Sequence, residues 1–275
     1  MYYYIVDPGK ISQRDFERVQ NQLYSSVSEY KIAGEIARVT TLRTIPQLVE
    51  GALTRGYKTI VAVGGDDTLH DLINAVAGRE VGIGFIPIIA SEVGQILGLG
   101  DIPHSAKTIA IRRIEEMDLI YINHNAIITS VAFGAGMQAY SSIFELWRLP
   151  TFQIDFSADN NEFRGTTQAI GGVVINSRLK KPDNQKLFNP TDGILDVLLL
   201  PKLSKFQTLK FRIDILKGNF EKIPGSSIIH VRQLQISAPE GLPLRVSNKI
   251  ITRTPATIEV KPKALKIIVG KERKF

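Results

Sequence analysis

Residues Thr59 to Ala77, TIVAVGGDDTLHDLINAVA, constrain this chain more than any other stretch. Ile60–Val63 is a short apolar run, the pattern of a buried strand. Gly64-Gly65 follow at once, then Asp66-Asp67-Thr68. Leu69, Leu72, Ile73 and Val76 then recur on one helical face. Strand, glycine turn and helix in that order belong to an open parallel sheet, where ligands bind outside the carboxyl ends of the strands. Glycines let the backbone come close to a bulky anion, and N–H groups at a helix start favour phosphate. From spacing alone, an ordinary strand-to-helix turn is as good a reading.

The surrounding chain repeats the alternation. Tyr2–Val6 reads as a first strand, with a turn at Asp7-Pro8-Gly9-Lys10. Ser12 can cap a helix that places Phe16, Val19, Leu23 and Val27 on one face. Glu35–Thr40 is a second strand, and Thr44 with Pro46 opens a helix running to Arg55-Gly56. Val81–Pro87 is a further strand. This order predicts a parallel sheet with helices on both faces.

From Asp118 onward the pattern turns to strands. Leu119–His124 with Ala126–Phe133, and Phe152–Phe156 with Phe163–Ala169, read as hairpins. Ile170–Asn176, Ile228–Ile236, Pro243–Val246, Ile250–Arg253 and Ala256–Val260 read as strands, and Ser141–Leu149 and Ser204–Gly218 as helices. In the second helix Phe206, Leu209, Phe211, Ile213 and Leu216 are expected on the inner side. The expected architecture is an α/β domain over residues 1–118 and a mainly antiparallel β-sandwich over residues 119–275.

Composition bounds the class. With 44% hydrophobic and 22% charged residues over 275 positions, the chain is ordinary globular material with enough length for a proper core. No apolar run approaches the ~18 residues that cross a bilayer. The start lacks a basic leader and a small-residue cleavage site, and zero cysteines exclude disulfides and thiolate metal sites. A cytoplasmic location is expected, with peripheral membrane association open. Residues 1–150 carry 13 Lys/Arg against 16 Asp/Glu, and residues 151–275 carry 21 against 11. A second half with net charge +10 suits an anionic partner such as a membrane surface or a phosphorylated substrate, or else is a well-solvated surface. No nucleic-acid-binding signature is visible. Lys202, Lys205, Lys210, Arg212 and Lys217 make the 204–218 helix basic, which suits either anionic headgroups or solvent.

Gly64-Gly65-Asp66-Asp67-Thr68-Leu69 resembles the Gly-Gly-Asp-Gly-Thr-Leu nucleotide loop of the diacylglycerol kinase and NAD kinase superfamily. The sequel His70-Asp71-Leu72-Ile73-Asn74-Ala75 is more similar to the diacylglycerol kinase branch, which includes the bacterial lipid kinases. Pro190-Thr191-Asp192-Gly193-Ile194-Leu195-Asp196-Val197 resembles that branch's Asp-Asp-Gly-x-Leu-Asp-Val motif. Pro262-Lys263-Ala264-Leu265 resembles its closing run. The resemblance implies ATP and Mg²⁺ as cofactors and transfer of phosphate to a diacylglycerol-like lipid hydroxyl. It implies a nucleotide side formed by Gly64, Gly65, Asp66, Asp67 and Thr68, with Thr44, Pro87, Ser91 and Glu92. Asp66 is its candidate catalytic residue on the Mg²⁺ and phosphate side. Asp192 and Asp196 are implied as ligands of a structural Mg²⁺, with a capped turn as the alternative. A homodimer is a further possibility.

The departures from that pattern are specific. Asp67 stands where the family has a second loop glycine, and its carboxylate repels a triphosphate by roughly 1–4 kcal/mol at ~4 Å unless a cation intervenes. The second phosphate loop, Pro-x-Gly-Thr-x-Asn-Asp in relatives, reads Pro87-Ile88-Ile89-Ala90-Ser91-Glu92 here. Ile-Ala or Ala-Ser replaces Gly-Thr, depending on a one-residue gap, with Ser91-Glu92 at Asn-Asp if the gap is present and Glu92 at the Asn if it is not. The acidic residue of Gly-Phe-Asp-Ala is missing from Phe133-Gly134-Ala135-Gly136, with Met137 or Gln138 nearby. Where relatives carry Asp-Gly-Glu, whose Glu is proposed to deprotonate the lipid hydroxyl, this chain has Ser247-Asn248-Lys249. A lysine ammonium cannot act as that base, although it can bind phosphate or simply sit in a β-turn. Three readings stay open: an active lipid kinase, an inactive homologue that binds nucleotide or anionic lipid, and an NAD-kinase-like phosphotransferase. The residues after the glycine loop and the 190–197 motif speak against the third.

Overall fold

Apolar strands alternating with amphipathic helices build the first part of the chain. The computed structural model describes residues 1–9, 11–134, 150–178, 188–217, 222–246 and 249–275. The contacts divide it into two units, Met1–Asp118 with Pro262–Phe275, and Leu119–Lys261. The elements of the first unit are β1 (Tyr2–Val6), α1 (Gln13–Glu29), β2 (Gly34–Arg38), α2 (Ile45–Thr54), β3 (Thr59–Gly64), α3 (Asp66–Val76), β4 (Gly82–Pro87), α4 (Glu92–Ile96) and α5 (Ile102–Ile111). The strands lie side by side as β2-β1-β3-β4, all parallel. Ile60, Val61, Ala62 and Val63 of β3 are fully buried, as befits a central parallel strand covered on both faces. α1 packs with α5, and α2 with α3.

α1 and α2 begin at the caps the sequence predicts, Ser12 and Thr44. Ser12 Oγ accepts the Asp15 N–H at 3.1 Å, and Gln47 Oε1 accepts the Thr44 N–H at 3.0 Å. α4 and α5 lie outside the sequence expectation. The signal for α5 was present in Asp101-Ile102-Pro103, a cap followed by a first-turn proline, and Asp101 Oδ1 accepts the His104 N–H at 3.0 Å.

The second unit holds β5 (Ile114–Ile122), which begins in the first unit, β6 (Asn125–Ile127), β7 (Ser130–Gly134), β8 (Phe152–Ala158), β9 (Phe163–Ile175) and β10 (Leu195–Pro201). It continues with α6 (Lys205–Lys210), α7 (Arg212–Lys217), β11 (Ser227–Val231), β12 (Gln233–Ala238), β13 (Pro243–Val246), β14 (Lys249–Arg253) and β15 (Ala256–Ile268). Its strands run β14-β13-β7-β9-β8-β12-β15 with antiparallel neighbours, and β10 pairs with both β9 and β11. This is the antiparallel β-sandwich the sequence predicts. Successive residues of β10 are buried on opposite faces: Leu195, Val197 and Leu199 join one apolar cluster, and Leu198 and Leu200 another.

Several local expectations are revised. Phe163–Ala169 and Ile170–Asn176 are one continuous strand, β9, whose first half pairs with β8 and whose second half pairs with β7 and β10. β15 is likewise a single strand. Its start pairs with β12, while Lys266 and Ile267 pair in parallel with Gly82 and Ile83 of β4, so Pro262–Phe275 counts with the first unit. The 204–218 helix is two short helices joined at Phe211. Phe206, Leu209 and Ile213, expected inside, are exposed; the inward stripe is Thr208 with Phe211. The readings at Lys10, Met137, Gln138, Ser141–Leu149, Ser247 and Asn248 lie outside the described residues.

Candidate functional site

The register of the parallel sheet collects three loops at one edge. Val6 lies opposite Val63, and Gly64 opposite Pro87, so the carboxyl ends of β1, β3 and β4 finish level with one another. Asp7, the Gly64–Thr68 turn and the Ile88–Glu92 segment therefore emerge side by side, at the edge where open α/β sheets bind ligands.

Thr68 fastens the first loop to the second. Its hydroxyl donates to Asp7 Oδ2 at 2.9 Å and accepts the Gly65 N–H at 3.2 Å, and its side chain is buried. Asp7 in turn accepts the Gly9 N–H through Oδ1 at 2.9 Å and donates its own N–H to the Val63 carbonyl at 2.9 Å. Gly64 is required by this packing, because a Cβ there would lie 2.2 Å from Thr68 Oγ1. The turn thus needs glycine for close approach of its own threonine.

Asp66 fastens the third loop. Its Oδ1 accepts the Ser91 hydroxyl, and its Oδ2 accepts the Glu92 N–H at 3.1 Å. Ser91 also caps α4, since its Oγ accepts the Gly94 N–H at 2.7 Å. Ile89 reaches back over the glycine turn: a Cβ on Gly65 would lie 2.8 Å from Ile89 Cδ1. Asp66 and Asp67 form the first turn of α3, where the helix dipole favours negative charge.

The residues singled out from the sequence are therefore partly gathered. Gly64, Gly65, Asp66, Asp67, Thr68, Pro87, Ser91 and Glu92 share this edge; Thr44, the exposed cap of α2, follows β2, whose Arg38 lies opposite Val6 at the same end of the sheet. A cavity of about 690 Å³ opens beside the third loop, against α1; Pro87, Ile89 and Ser91 line it together with Arg18, Gln22 and Gln95. The sequence places Asp7 only in the turn after β1, with no sign that it braces Thr68. The neighbouring of β1 and β3 creates that contact across 61 positions, and nothing local announces it.

In the second unit, Asp192 Oδ1 accepts the Ile194 N–H at 3.0 Å, around Gly193 in a left-handed conformation. Asp196 is buried at the start of β10. Its Oδ1 lies 2.6 Å from His230 Nδ1, opposite it on β11, and its Oδ2 accepts the Phe188 N–H. Both Asp196 oxygens are thus engaged within the protein, and no cluster of three His, Cys, Asp or Glu residues suited to a metal occurs among the described residues. Among the described residues, this donor set does not by itself make up the implied Mg²⁺ ligation. Lys249 opens β14 and pairs with Val246 across the strand ends.

Residues 5–122 match the family model of the diacylglycerol kinase catalytic domain, and residues 143–269 match that of the YegS C-terminal NAD kinase beta sandwich-like domain. Among curated proteins, the chain is 26% identical over 247 residues to "Probable lipid kinase YegS-like" of Pseudomonas aeruginosa PAO1, covering 80% of each chain. It is 22% identical over 248 residues to the protein so described from Alcanivorax borkumensis, covering 80% of this chain and 81% of the other. Its fold is similar to the crystal structure of a diacylglycerol kinase from Bacillus anthracis, with a TM-score of 0.79 at 17% identity over 98% of this chain and 97% of that one. It is also similar to an NAD kinase from Archaeoglobus fulgidus in complex with ATP, with a TM-score of 0.58 at 12% identity over 99% and 95%.

Proposed function

Because the chain belongs to the diacylglycerol kinase family of lipid kinases, we propose that it binds a nucleoside triphosphate at the β1–β3–β4 edge and phosphorylates the hydroxyl of a diacylglycerol-like lipid. The observation that carries this reading is the pair of side-chain links Thr68–Asp7 and Asp66–Ser91, which hold three loops in one arrangement at that edge. Phosphoryl transfer depends mainly on positioning and charge neutralisation, so a rigid loop cluster is the part of the machinery the protein must supply.

ATP, when bound, supplies the phosphoryl group. In this proposal the first turn of α3 faces the phosphates with its N–H groups and dipole. Gly64 and Gly65 keep side-chain bulk out of the turn. Asp66 and Thr68 set the loop geometry through Ser91 and Asp7.

A second reading is favoured by specific observations: a protein that binds nucleotide or anionic lipid on this scaffold without turnover. Ile89 covers Gly65, the Gly65 N–H is already donated to Thr68, and Lys249 occupies the position of the family's base. Loss of a general base alone costs about 10²–10⁴-fold, which leaves slow transfer within reach.

Titration calorimetry with ATP, with and without Mg²⁺, followed by radiolabelled phosphate transfer to diacylglycerol in detergent micelles, separates the two. Labelled lipid is the expected result. Nucleotide binding without labelled lipid favours the second reading, and transfer to NAD with none to lipid overturns both.

A further inference from the structure

The paired helices α6 and α7 leave an apolar stripe uncovered. Phe206 is 75% exposed, Leu209 43% and Ile213 54%. Phe206 and Leu209, three residues apart, lie on one side of α6, and Ile213 stands exposed at the start of α7, just past the joint at Phe211. The opposite side is the one that packs: Thr208 is buried, and Phe211 and Leu203 rest on the cluster containing Phe188, Leu198 and Ile223.

Three large apolar side chains are thus held outward by a segment anchored on its other side. A monomer scatters single exposed apolar residues; a contiguous group rimmed by charge marks an interaction surface. Here the rim is cationic: Lys202, Lys210 and Arg212 are exposed around the stripe, and Asp214 is the one acidic residue between positions 202 and 214.

We propose that Phe206, Leu209 and Ile213, with Lys202, Lys210 and Arg212, form a docking surface for an anionic lipid bilayer. Apolar side chains entering the acyl boundary beside lysines and arginines at the headgroups is how amphipathic interfacial helices bind. The charge complementarity selects an anionic leaflet. The inference deepens the lipid-kinase reading and rests on it, since a lipid hydroxyl must be reached at a membrane surface. No helix among the described residues is long and apolar enough to cross one.

The full chain is sedimented with vesicles of phosphatidylglycerol or of phosphatidylcholine, without nucleotide or diacylglycerol. Wild type is expected to pellet with phosphatidylglycerol and to stay in solution with phosphatidylcholine. Phe206→Ser/Ile213→Ser should weaken the phosphatidylglycerol association by about tenfold or more, the order expected when two apolar side chains no longer enter the interface. Its thermal midpoint should change little, because both side chains are more than half exposed. Lys202→Gln/Lys210→Gln should weaken binding most at low salt.

Equal pelleting of wild type and Phe206→Ser/Ile213→Ser overturns the proposal. So does a wild-type dimer in sedimentation velocity that this variant makes monomeric, because a second copy then occupies the stripe. Turnover on micellar diacylglycerol is read separately, so a failure of docking and a failure of the kinase reading give different results.

Discussion

Ser91 donates its hydroxyl to the carboxylate of Asp66, so the cap of α4 and the first residue of α3 are one hydrogen-bonded unit. Two loops that are 25 positions apart in the chain therefore move together. In a site that works by positioning, this link matters more than either residue's charge.

Ser91→Ala removes both the acceptor of the Gly94 N–H and the donor to Asp66. It should destabilise the protein by about 1–2 kcal/mol. Urea unfolding should show a lower midpoint with an unchanged slope, the sign of a stability change without a change in exposed surface.

Asp66→Ala should abolish measurable ATP binding in calorimetry, because the α3 turn loses its tie to the third loop. Unchanged affinity would place the nucleotide elsewhere in the protein. Ile89→Ala acts in the other direction. Uncovering Gly65 should strengthen ATP binding severalfold, and an unaltered or weaker affinity would mean that Ile89 does not limit access.

Gly64→Ala brings a methyl group to 2.2 Å from Thr68 Oγ1 and must displace that side chain from Asp7. Overpacking of this kind costs about 1–3 kcal/mol. Thr68→Val removes the same hydrogen bonds without adding bulk. Thermal melts of the two variants should therefore both fall, with Gly64→Ala falling further.

Tyr4 supplies the pH dependence. Its hydroxyl donates to the Ile32 carbonyl at 2.7 Å, and burial, with Tyr2 adding a smaller effect, pushes the phenol well above the usual tyrosine range. The folded protein thus holds Tyr4 protonated while the unfolded chain ionises near pH ~10. A raised native pKa gives a contribution that is complete below pH ~10 and is lost as the pH climbs beyond it. Tyr4→Phe should cost about 1–3 kcal/mol at neutral pH, since the Ile32 carbonyl loses its donor. The difference from wild type should shrink above pH ~10, measured by denaturant titration across that range.

The alternation of elements in residues 1–118 was legible because each strand and helix carries its own period. Tyr2–Val6 and Ile60–Val63 are short apolar runs, and Phe16, Val19 and Leu23 recur at helical spacing. Ser12 and Thr44 announced their helices for the same local reason. The amphipathic stripe of α6 and α7 was legible as a stripe, but its direction was not. Phe206, Leu209 and Ile213 look like the inner face of any surface helix. Only the packing of Thr208 and Phe211 on the second-unit core turns them outward.

Fold class and the glycine turn can be read from local pattern, since strand, Gly-Gly and helix are contiguous and their physics is local. Tertiary structure alone decided what those residues touch. The neighbouring of β1, β3 and β4 brings Asp7 to Thr68 and Ser91 to Asp66, and it lays Ile89 over Gly65. Such contacts depend on strand order and register, which join positions far apart in the chain, and no period or motif in one segment encodes its neighbour in the sheet.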